Sequence, residues 1–295
     1  MTRVLILGAA GMLGHKLCQV YRDRFDTWAT VRERSERYVQ YDLLPSERFI
    51  SNVDAFKFDT IVQAFAIAQP QVVINCIGII KQLSTAKDPV ISLTINSLLP
   101  HRLAQLCSVA GARLIHISTD CVFSGRKGKY TEADISDAED LYGRTKYLGE
   151  VSVEQHLTLR TSIVGRELQT TTGLVEWFLS NRGGRVRGYT EAIYTGFTTL
   201  ALAEIMAEII EHKSHLAGLY QVSSDPINKF DLLCLLREQF AIPIEIEPFV
   251  DFKLDRSLSS QRFRTESGIA IPSWFDMVEA MAQDKTPYEI WRMKR

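Results

Sequence analysis

The chain has 295 residues, of which 46% are hydrophobic and 23% charged, and its formal net charge is -1. This composition is typical of a globular protein that buries a substantial core. The near-neutral charge argues against a general nucleic-acid or anionic-membrane binder, and no apolar run approaches the roughly 18 residues of a membrane span. The five cysteines show no CxxC spacing and the chain opens without a leader pattern, so we expect reduced thiols in a cytoplasmic protein.

The first predicted element is a buried strand at Arg3–Leu7 that runs into a glycine-rich turn and then into a helical pattern, His15–Tyr21. In such a unit, glycines permit a tight turn and close backbone approach, and the helix N-terminus faces a pyrophosphate. A simple tight turn could give the same glycine triplet, but its position directly after a strand favours dinucleotide binding. The predicted cofactor residues of this GxxGxxG turn are Gly8, Ala10, Gly11, Met12, Leu13 and Gly14.

The second predicted strand, Thr27–Val31, bears on the choice of cofactor. NAD sites commonly carry an acid at the end of this strand, where it binds the ribose 2′-hydroxyl. Here Arg32, Glu33 and Arg34 follow, and the two arginines could pair with a 2′-phosphate or form a solvated loop. NADP(H) is therefore preferred, with NAD(H) as the alternative. We also expect Asp42, at a further predicted strand end, to reach the adenine.

Three residues at the end of the next predicted strand, residues 71–78, are further cofactor candidates. Ligands of doubly wound sheets bind outside the carboxyl ends of the strands, so Asn75, Cys76 and Gly78 are expected to line the cofactor crevice. Asn96 lies in the long helical pattern that follows. A polar side chain inside an apolar helix bonds locally or ties helices together, so a structural role for Asn96 stands beside a catalytic one.

Two short segments carry the predicted chemistry. Ser118 and Thr119 end a strand, and Tyr142 and Lys146 lie four residues apart in a predicted helix, Leu141–Gln155, so that they share one face. An ammonium beside the phenol would favour the phenolate and lower the pKa of Tyr142 from about 10 toward neutrality. A hydroxyl of Ser118 or Thr119 could hold a substrate oxygen against that phenol. The pattern predicts a proton-transfer device that works only beside a cofactor.

Strands and helices alternate from Met1 to about Gly165, which indicates an α/β fold with a Rossmann-type doubly wound parallel sheet. We expect residues 1–165 to form the NAD(P)-binding domain, with a returning segment near 190–222. Residues 166–295 are less regular and are expected to form mainly a smaller α+β substrate-binding lobe.

The sequence resembles the extended short-chain dehydrogenase/reductase family and, within it, the dTDP-4-dehydrorhamnose reductase branch. The resemblance rests on segments 8–14, 118–125, 130–132, 142–146 and 160–162, and more loosely on 194–198 and 255–258. It implies NADPH-dependent reduction of a nucleotide-linked 4-keto-6-deoxysugar in deoxysugar or surface polysaccharide biosynthesis.

The resemblance also implies a role for each matching residue. Tyr142 would donate a proton to the substrate oxygen, Lys146 would hold the nicotinamide ribose, and Thr119, backed by Ser118, would bind the reacting carbonyl. Asn96 would organise a proton-relay water. The remaining implied contacts are Thr161 and Ser162 with the cofactor, and Asp120, Ile163, Thr195 and Arg256 with the nucleotide sugar. For Arg256 a bidentate pyrophosphate contact is predicted, with a solvated basic loop as the alternative.

Other features separate activities within the family. Asp120 is followed by Cys121 rather than by a glutamate, which disfavours a dehydratase, and the following residues favour a reductase over a 4-epimerase. Ile163 replaces a tryptophan of the rhamnose-pathway reductases. Lys16 stands where some of them place a metal-binding acid, so no metal is expected, and a homodimer is expected from the family alone. A nucleotide-sugar epimerase, a bifunctional epimerase/reductase and a non-catalytic NADP-binding regulatory subunit remain alternatives, because a fold does not fix a function.

Overall fold

The structure is a computed structural model that describes residues 1–82 and 84–293. Its strands are β1 (Arg3–Leu7), β2 (Asp26–Thr30), β3 (Phe49–Ile50), β4 (Val72–Asn75), β5 (Arg113–Thr119), β6 (Leu157–Thr161), β7 (Ile163–Val164), β8 (Arg185–Tyr189), β9 (Ala192–Tyr194), β10 (Phe197–Thr198), β11 (Gly218–Gln221), β12 (Ile227–Asn228), β13 (Glu245–Phe249) and β14 (Leu254–Asp255). Its α-helices are α1 (Met12–Tyr21), α2 (Glu36–Val39), α3 (Phe58–Ala68), α4 (Pro89–Ser92), α5 (Leu99–Val109), α6 (Leu141–Leu148), α7 (Leu174–Ser180), α8 (Thr199–His212), α9 (Lys229–Gln239), α10 (Gln261–Ser267), α11 (Trp274–Ala282) and α12 (Tyr288–Met293).

Within the described residues, the main sheet holds seven strands in the order β3–β2–β1–β4–β5–β6–β11, and all neighbouring pairs are parallel. The predicted α/β doubly wound sheet is therefore confirmed. Strand β4 is buried along its whole length because helices cover both faces of the sheet. The carboxyl ends of the parallel strands all meet at one edge.

Two apolar cores lie on the two faces of the sheet. One contains Leu17 of α1 and Ile209 of α8, and the other contains Ile61 of α3 and Leu103 of α5. Both cores pack directly on β1, whose alternate residues point to opposite faces. The turn after β1 is thus fixed from both sides.

Within the described residues, the segment after residue 165 contributes one strand, β11, to the main sheet and several short strands to three smaller sheets. Strand β11 lies inside the segment that was expected to return near 190–222. The division at residue 165 stays a prediction, and residues 294 and 295 of the predicted lobe lie outside the described residues. None of the described helices is long and apolar enough to cross a membrane.

The predicted strand end at Asp42 is wrong. Residues 41–44 form a turn, and Asp42 has a φ of 42°, a left-handed conformation that cannot continue a strand. The third strand comes later, at β3, and has only two residues.

The predicted helices on either side of β5 also differ in detail. The helical pattern before β5 is divided into α4, a π-helical segment at Leu93–Leu98, and α5. Helix α6 ends at Leu148, well before the predicted end at Gln155. The next residue, Gly149, packs so closely on the π-helical segment that a Cβ there would lie 1.9 Å from Asn96 O.

Candidate active site

The glycine-rich turn joins β1 to α1 at the carboxyl edge of the sheet. Gly8 N donates to Thr30 Oγ1 (3.2 Å), and Gly11 N donates to Gly8 O (3.1 Å). Gly8 has a φ of 86°, which favours glycine, and a Cβ on Gly14 would lie 2.2 Å from Gly8 O. Ala10 completes the turn, and Met12 and Leu13 begin helix α1. The turn therefore allows the close backbone approach that a dinucleotide pyrophosphate requires at a helix N-terminus.

Basic side chains follow β2. Arg32 and Arg34 are both exposed, and Glu33 between them pairs with Arg37 at 2.7 Å. Among the ion pairs of the described residues, neither Arg32 nor Arg34 has a partner. The one acid that could bind a ribose hydroxyl is thus engaged, whereas the two guanidinium groups stay available to a phosphate.

Asp42 does not lie at the crevice. Its side chain is 79% exposed and pairs at 3.1 Å with Arg22, the residue after α1. The position expected for Asp42 is occupied instead by residues Ser51–Val53, which follow β3. Val53 N donates to Val31 O (3.1 Å), just past the end of β2. The sequence did not reveal this position, since a strand of two residues leaves no readable periodicity.

The end of β4 continues the same edge. Asn75 is buried, with Nδ2 lying 3.1 Å from His116 Nδ1 and Oδ1 accepting the N–H of Ile77 at 3.1 Å. Cys76 N donates back to β1, and a Cβ on Gly78 would meet only the Asn96 carboxamide, at 3.5 Å. The predicted cofactor residues of β4 therefore lie beside the glycine-rich turn, and their contact with a cofactor stays a prediction.

Asn96 lies in the π-helical segment, a distortion that is frequent at functional sites. Its Oδ1 accepts the N–H of Ile79 (2.9 Å), and its Nδ2 donates to Ile79 O (3.1 Å) and approaches Thr145 Oγ1 (3.4 Å). The carboxamide thus ties the loop after β4 to helix α6. These contacts agree with the structural role that the sequence also allowed for Asn96. Its role in a proton relay stays a prediction.

Ser118 faces away from Thr119, as consecutive strand residues do. Its hydroxyl donates to Glu150 Oε1 (2.7 Å), and that carboxylate also accepts two hydrogen bonds from Arg160 at 2.7 Å each. The Arg160 and Glu150 side chains are only 3% and 8% exposed. The expectation that Ser118 backs Thr119 at the substrate is therefore wrong, because its hydroxyl belongs to a buried ionic network that was missed. No local pattern in the sequence reveals this network, because Ser118 and Glu150 are 32 residues apart.

Thr119 is the hydroxyl that meets the tyrosine. Its Oγ1 donates to Asp120 Oδ1 (3.2 Å) and accepts the N–H of Cys121 (3.1 Å). Burial raises the pKa of Tyr142 above its usual value, and a hydrogen bond with Thr119 opposes that effect without overcoming it. The expected fall in the pKa of Tyr142 is therefore wrong. The Lys146 ammonium donates to Ile117 O (2.7 Å) instead of approaching the phenol.

Lys146 lies on the side of α6 that faces β5. Burial lowers its pKa to about 8, an effect that the nearby Glu150 carboxylate partly opposes. Its ammonium is therefore charged at neutral pH and sits at the strand edge where the predicted cofactor residues converge.

The candidate substrate residues fall into two groups. Thr195 is buried and its Oγ1 accepts the N–H of Leu258 (3.0 Å), so its hydroxyl has a structural partner. Ile163, half-buried, begins β7 just after the strand end at Thr161 and Ser162. Ile163 packs partly against the apolar core, and the predicted substrate contacts of Ile163 and Thr195 stay predictions.

Arg256 lies against the turn after β5. It donates to Phe123 O (2.8 Å) and approaches Cys121 Sγ (3.5 Å). Burial raises the pKa of Asp120, and the positive charge of Arg256 opposes that rise. These contacts hold Arg256 against the turn that carries Asp120, in contrast to the solvated-loop alternative, and its contact with a substrate phosphate stays a prediction.

Lys229, the first residue of α9, is a site residue that the sequence did not reveal. Its ammonium lies 6.0 Å from the centroid of the Tyr194 ring, and burial lowers its pKa while the Asp120 carboxylate raises it. One lysine at the start of an amphipathic helix has no distinguishing pattern, so only the fold places it near Asp120.

The fold and these residues define a protein of the extended short-chain dehydrogenase/reductase type. The chain matches the family described as RmlD substrate binding domain over residues 1–286, and it belongs to that family. It is 26% identical over 266 residues to mouse methionine adenosyltransferase 2 subunit beta, covering 84% of this chain and 75% of that protein. It is 24% identical over 299 residues to the spore coat polysaccharide biosynthesis protein SpsK of Bacillus subtilis, covering 97% and 99%.

A solved structure shares the fold. The dTDP-4-dehydrorhamnose reductase of Bacillus anthracis, in complex with NADP, aligns with a TM-score of 0.77 at 21% identity, covering 95% of this chain and 98% of that one.

Proposed function

We propose that the chain is an NADPH-dependent reductase of a nucleotide-linked 4-keto-6-deoxysugar, similar to dTDP-4-dehydrorhamnose reductase, in deoxysugar or surface polysaccharide biosynthesis. The observation that carries this proposal is the hydrogen bond between Thr119 and Tyr142, one helical turn from Lys146 and at the same sheet edge as the glycine-rich turn. The name of the B. anthracis structure supports this substrate class, and the name of the B. subtilis relative supports a role in polysaccharide biosynthesis.

The side chains suit reduction of a ketone. A bound nicotinamide supplies the hydride. Thr119 Oγ1, which now donates to Asp120, can donate instead to a substrate carbonyl, and the Tyr142 O–H then protonates the developing alkoxide. A raised pKa keeps the phenol protonated at neutral pH, as a proton donor must be. Such a general acid contributes on the order of 10²–10⁴-fold to the rate.

The cofactor assignment rests on charge. Arg32 and Arg34 are exposed without an ion-pair partner among the described residues, and the intervening acid is engaged. Guanidinium groups pair well with a phosphate, which supports NADP(H), and NAD(H) is the alternative. For the substrate, we assign Arg256 to a phosphate of the nucleotide sugar, because it borders Cys121 and acts on Asp120.

The test is turnover with NADPH and a panel of dTDP-, UDP- and GDP-linked 4-keto-6-deoxysugars, followed by loss of NADPH absorbance and by product stereochemistry. Stoichiometric NADPH loss is expected. Tyr142→Phe should lower turnover by about 10²-fold or more while NADPH affinity stays unchanged. Tyr147→Phe is the matched control, since Tyr147 is an exposed tyrosine on the same helix. Full turnover in Tyr142→Phe would contradict the role of the phenol.

A second candidate is an NADP-binding subunit without turnover. The mouse relative is named as a subunit of methionine adenosyltransferase 2, which favours this reading. Tight NADPH binding with no turnover of any sugar in the panel would support it. A product isomerised without NADPH loss would indicate an epimerase, and isomerisation with NADPH loss a bifunctional enzyme.

A further inference from the structure

The C-terminal residues Asp284–Trp291, which we call the strap, lie across helix α1. Three polar side chains from the first two turns of α1 each bind a different strap residue. These contacts are Lys16 Nζ with Asp284 Oδ2 (2.6 Å), Gln19 Nε2 with Thr286 Oγ1 (3.1 Å) and His15 Nε2 with Tyr288 Oη (3.0 Å). The strap therefore packs on α1, the helix that begins where the glycine-rich turn ends.

His15 connects Tyr288 to the glycine-rich turn by hydrogen bonds at its two ring nitrogens. The other ring nitrogen, His15 Nδ1, lies 2.9 Å from Gly11 O. A carbonyl oxygen only accepts, so Nδ1 must carry the hydrogen. His15 is fully buried and burial lowers its pKa to about 4, so the ring is neutral and Nε2 accepts. Tyr288 is then the donor to Nε2, which lies at 3.0 Å, nearer than the alternative acceptor Asp284 Oδ2 at 3.4 Å.

Gly11 O accepts two hydrogen bonds, one from the His15 ring at 2.9 Å and one from the His15 backbone N–H at 3.1 Å. This carbonyl belongs to the same planar peptide unit as the Met12 N–H, and the two groups point in opposite directions. Met12 is the first residue of α1, so its N–H is one of the helix donors without an intrahelical partner. Fixing the carbonyl therefore fixes the direction of a donor that a pyrophosphate would meet.

We propose that Tyr288 is a positioning residue for the dinucleotide. It holds the His15 tautomer that binds Gly11 O, and thereby orients the Met12 N–H toward the cofactor pyrophosphate. This inference rests on the cofactor binding in the proposed function. Without the phenol hydroxyl, the buried Nε2 has no donor, and the ring loses the second contact that holds it against the Gly11 carbonyl.

The experiment compares full-length wild type, Tyr288→Phe and Thr286→Val for the dissociation constant of NADPH, measured by calorimetry, and for thermal stability. Tyr288→Phe keeps the ring and its edge contact with His15, whose centroids are 5.7 Å apart. Thr286→Val removes strap contacts to Gln19 and within the strap, but it keeps the Tyr288 and His15 side chains that connect to Gly11. We expect Tyr288→Phe to raise the Kd by about threefold to tenfold, as the loss of one buried hydrogen bond would, and Thr286→Val to change it by less than about twofold.

A double-mutant cycle separates positioning from general loosening. In a His15→Ala background, Tyr288→Phe should change the Kd by less than about twofold, because the hydrogen bonds that connect Tyr288 to Gly11 are already absent. An unchanged Kd in Tyr288→Phe, or an equal loss in Thr286→Val, would overturn the inference, as would a wild type that binds neither NADP(H) nor NAD(H). A wild type that binds NADPH but reduces no sugar refutes the proposed reductase alone, since the Kd comparison still decides the role of Tyr288.

Discussion

Replacement of the buried Lys146 tests the cost of burying its charge, because we expect the variant to lose turnover and to gain stability. The side chain is 6% exposed, and burial lowers its pKa from 10.5 to about 8. Each pKa step corresponds to about 1.4 kcal/mol, so keeping this ammonium charged at pH 7 costs the folded state about 3 kcal/mol. Lys146→Met removes the charge with little change in side-chain length. It also removes the hydrogen bond to Ile117 O, a loss of about 1 kcal/mol.

We therefore expect Lys146→Met to raise the free energy of unfolding by about 2 kcal/mol at pH 7, and to abolish turnover. The pH dependence has a definite sign. Between about pH 8 and pH 10.5 the unfolded chain binds this proton and the folded protein does not, so wild-type stability from this group rises across that range. The advantage of the methionine variant should shrink correspondingly.

The assay is urea denaturation of wild type and variant at pH 7 and at the highest pH that both tolerate, with Lys253→Met, an exposed lysine, as the control. Equal denaturant slopes would show that the same surface unfolds in each protein. A Lys146→Met protein less stable than wild type at pH 7, or an advantage that does not shrink as pH rises, would refute the assignment of the cost to burial of the charge.

Two further predictions follow from charges elsewhere. Glu150→Gln leaves the Arg160 guanidinium buried beside an uncharged partner, so we expect a loss of about 3–5 kcal/mol in urea denaturation; a loss under about 1 kcal/mol would mean that the pair is effectively solvated. Arg32→Ser should raise the Kd of NADPH by about tenfold, the worth of one charge-assisted hydrogen bond, and change that of NADH by less than about twofold. Equal changes for the two cofactors would contradict a 2′-phosphate contact.

The sequence was most informative where one physical requirement dominates a segment. Strands covered by helices on both faces must be apolar throughout, so Val4–Leu7 and Val72–Asn75 could be read directly as inner strands. The glycine-rich turn was equally predictable from the sequence, because a side chain at Gly14 would overlap the Gly8 carbonyl. These local requirements were enough to place the turn, the strand ends and helix α6 at one edge of the sheet.

The misplaced predictions concern groups whose partners are distant in sequence. The Ser118 hydroxyl is bound to Glu150, 32 residues away. No local pattern distinguishes a hydroxyl with such a partner from one that is free for a substrate. The pKa of Tyr142 was predicted in the wrong direction for the same reason, since spacing alone does not show that Lys146 donates to a strand carbonyl.

The contacts between α1 and the strap also have a consequence for the order in which the protein matures during synthesis. His15 and Tyr288 are 273 residues apart, and Lys16 and Asp284 are 268 apart. A nascent chain that ends before Asp284 already contains every strand of the main sheet within the described residues, and folding from the N-terminus can proceed as they emerge. Helix α1 nevertheless gains these polar partners only after the strap has left the ribosome. On our proposal, the full affinity for the cofactor is therefore acquired only after the strap has docked on α1.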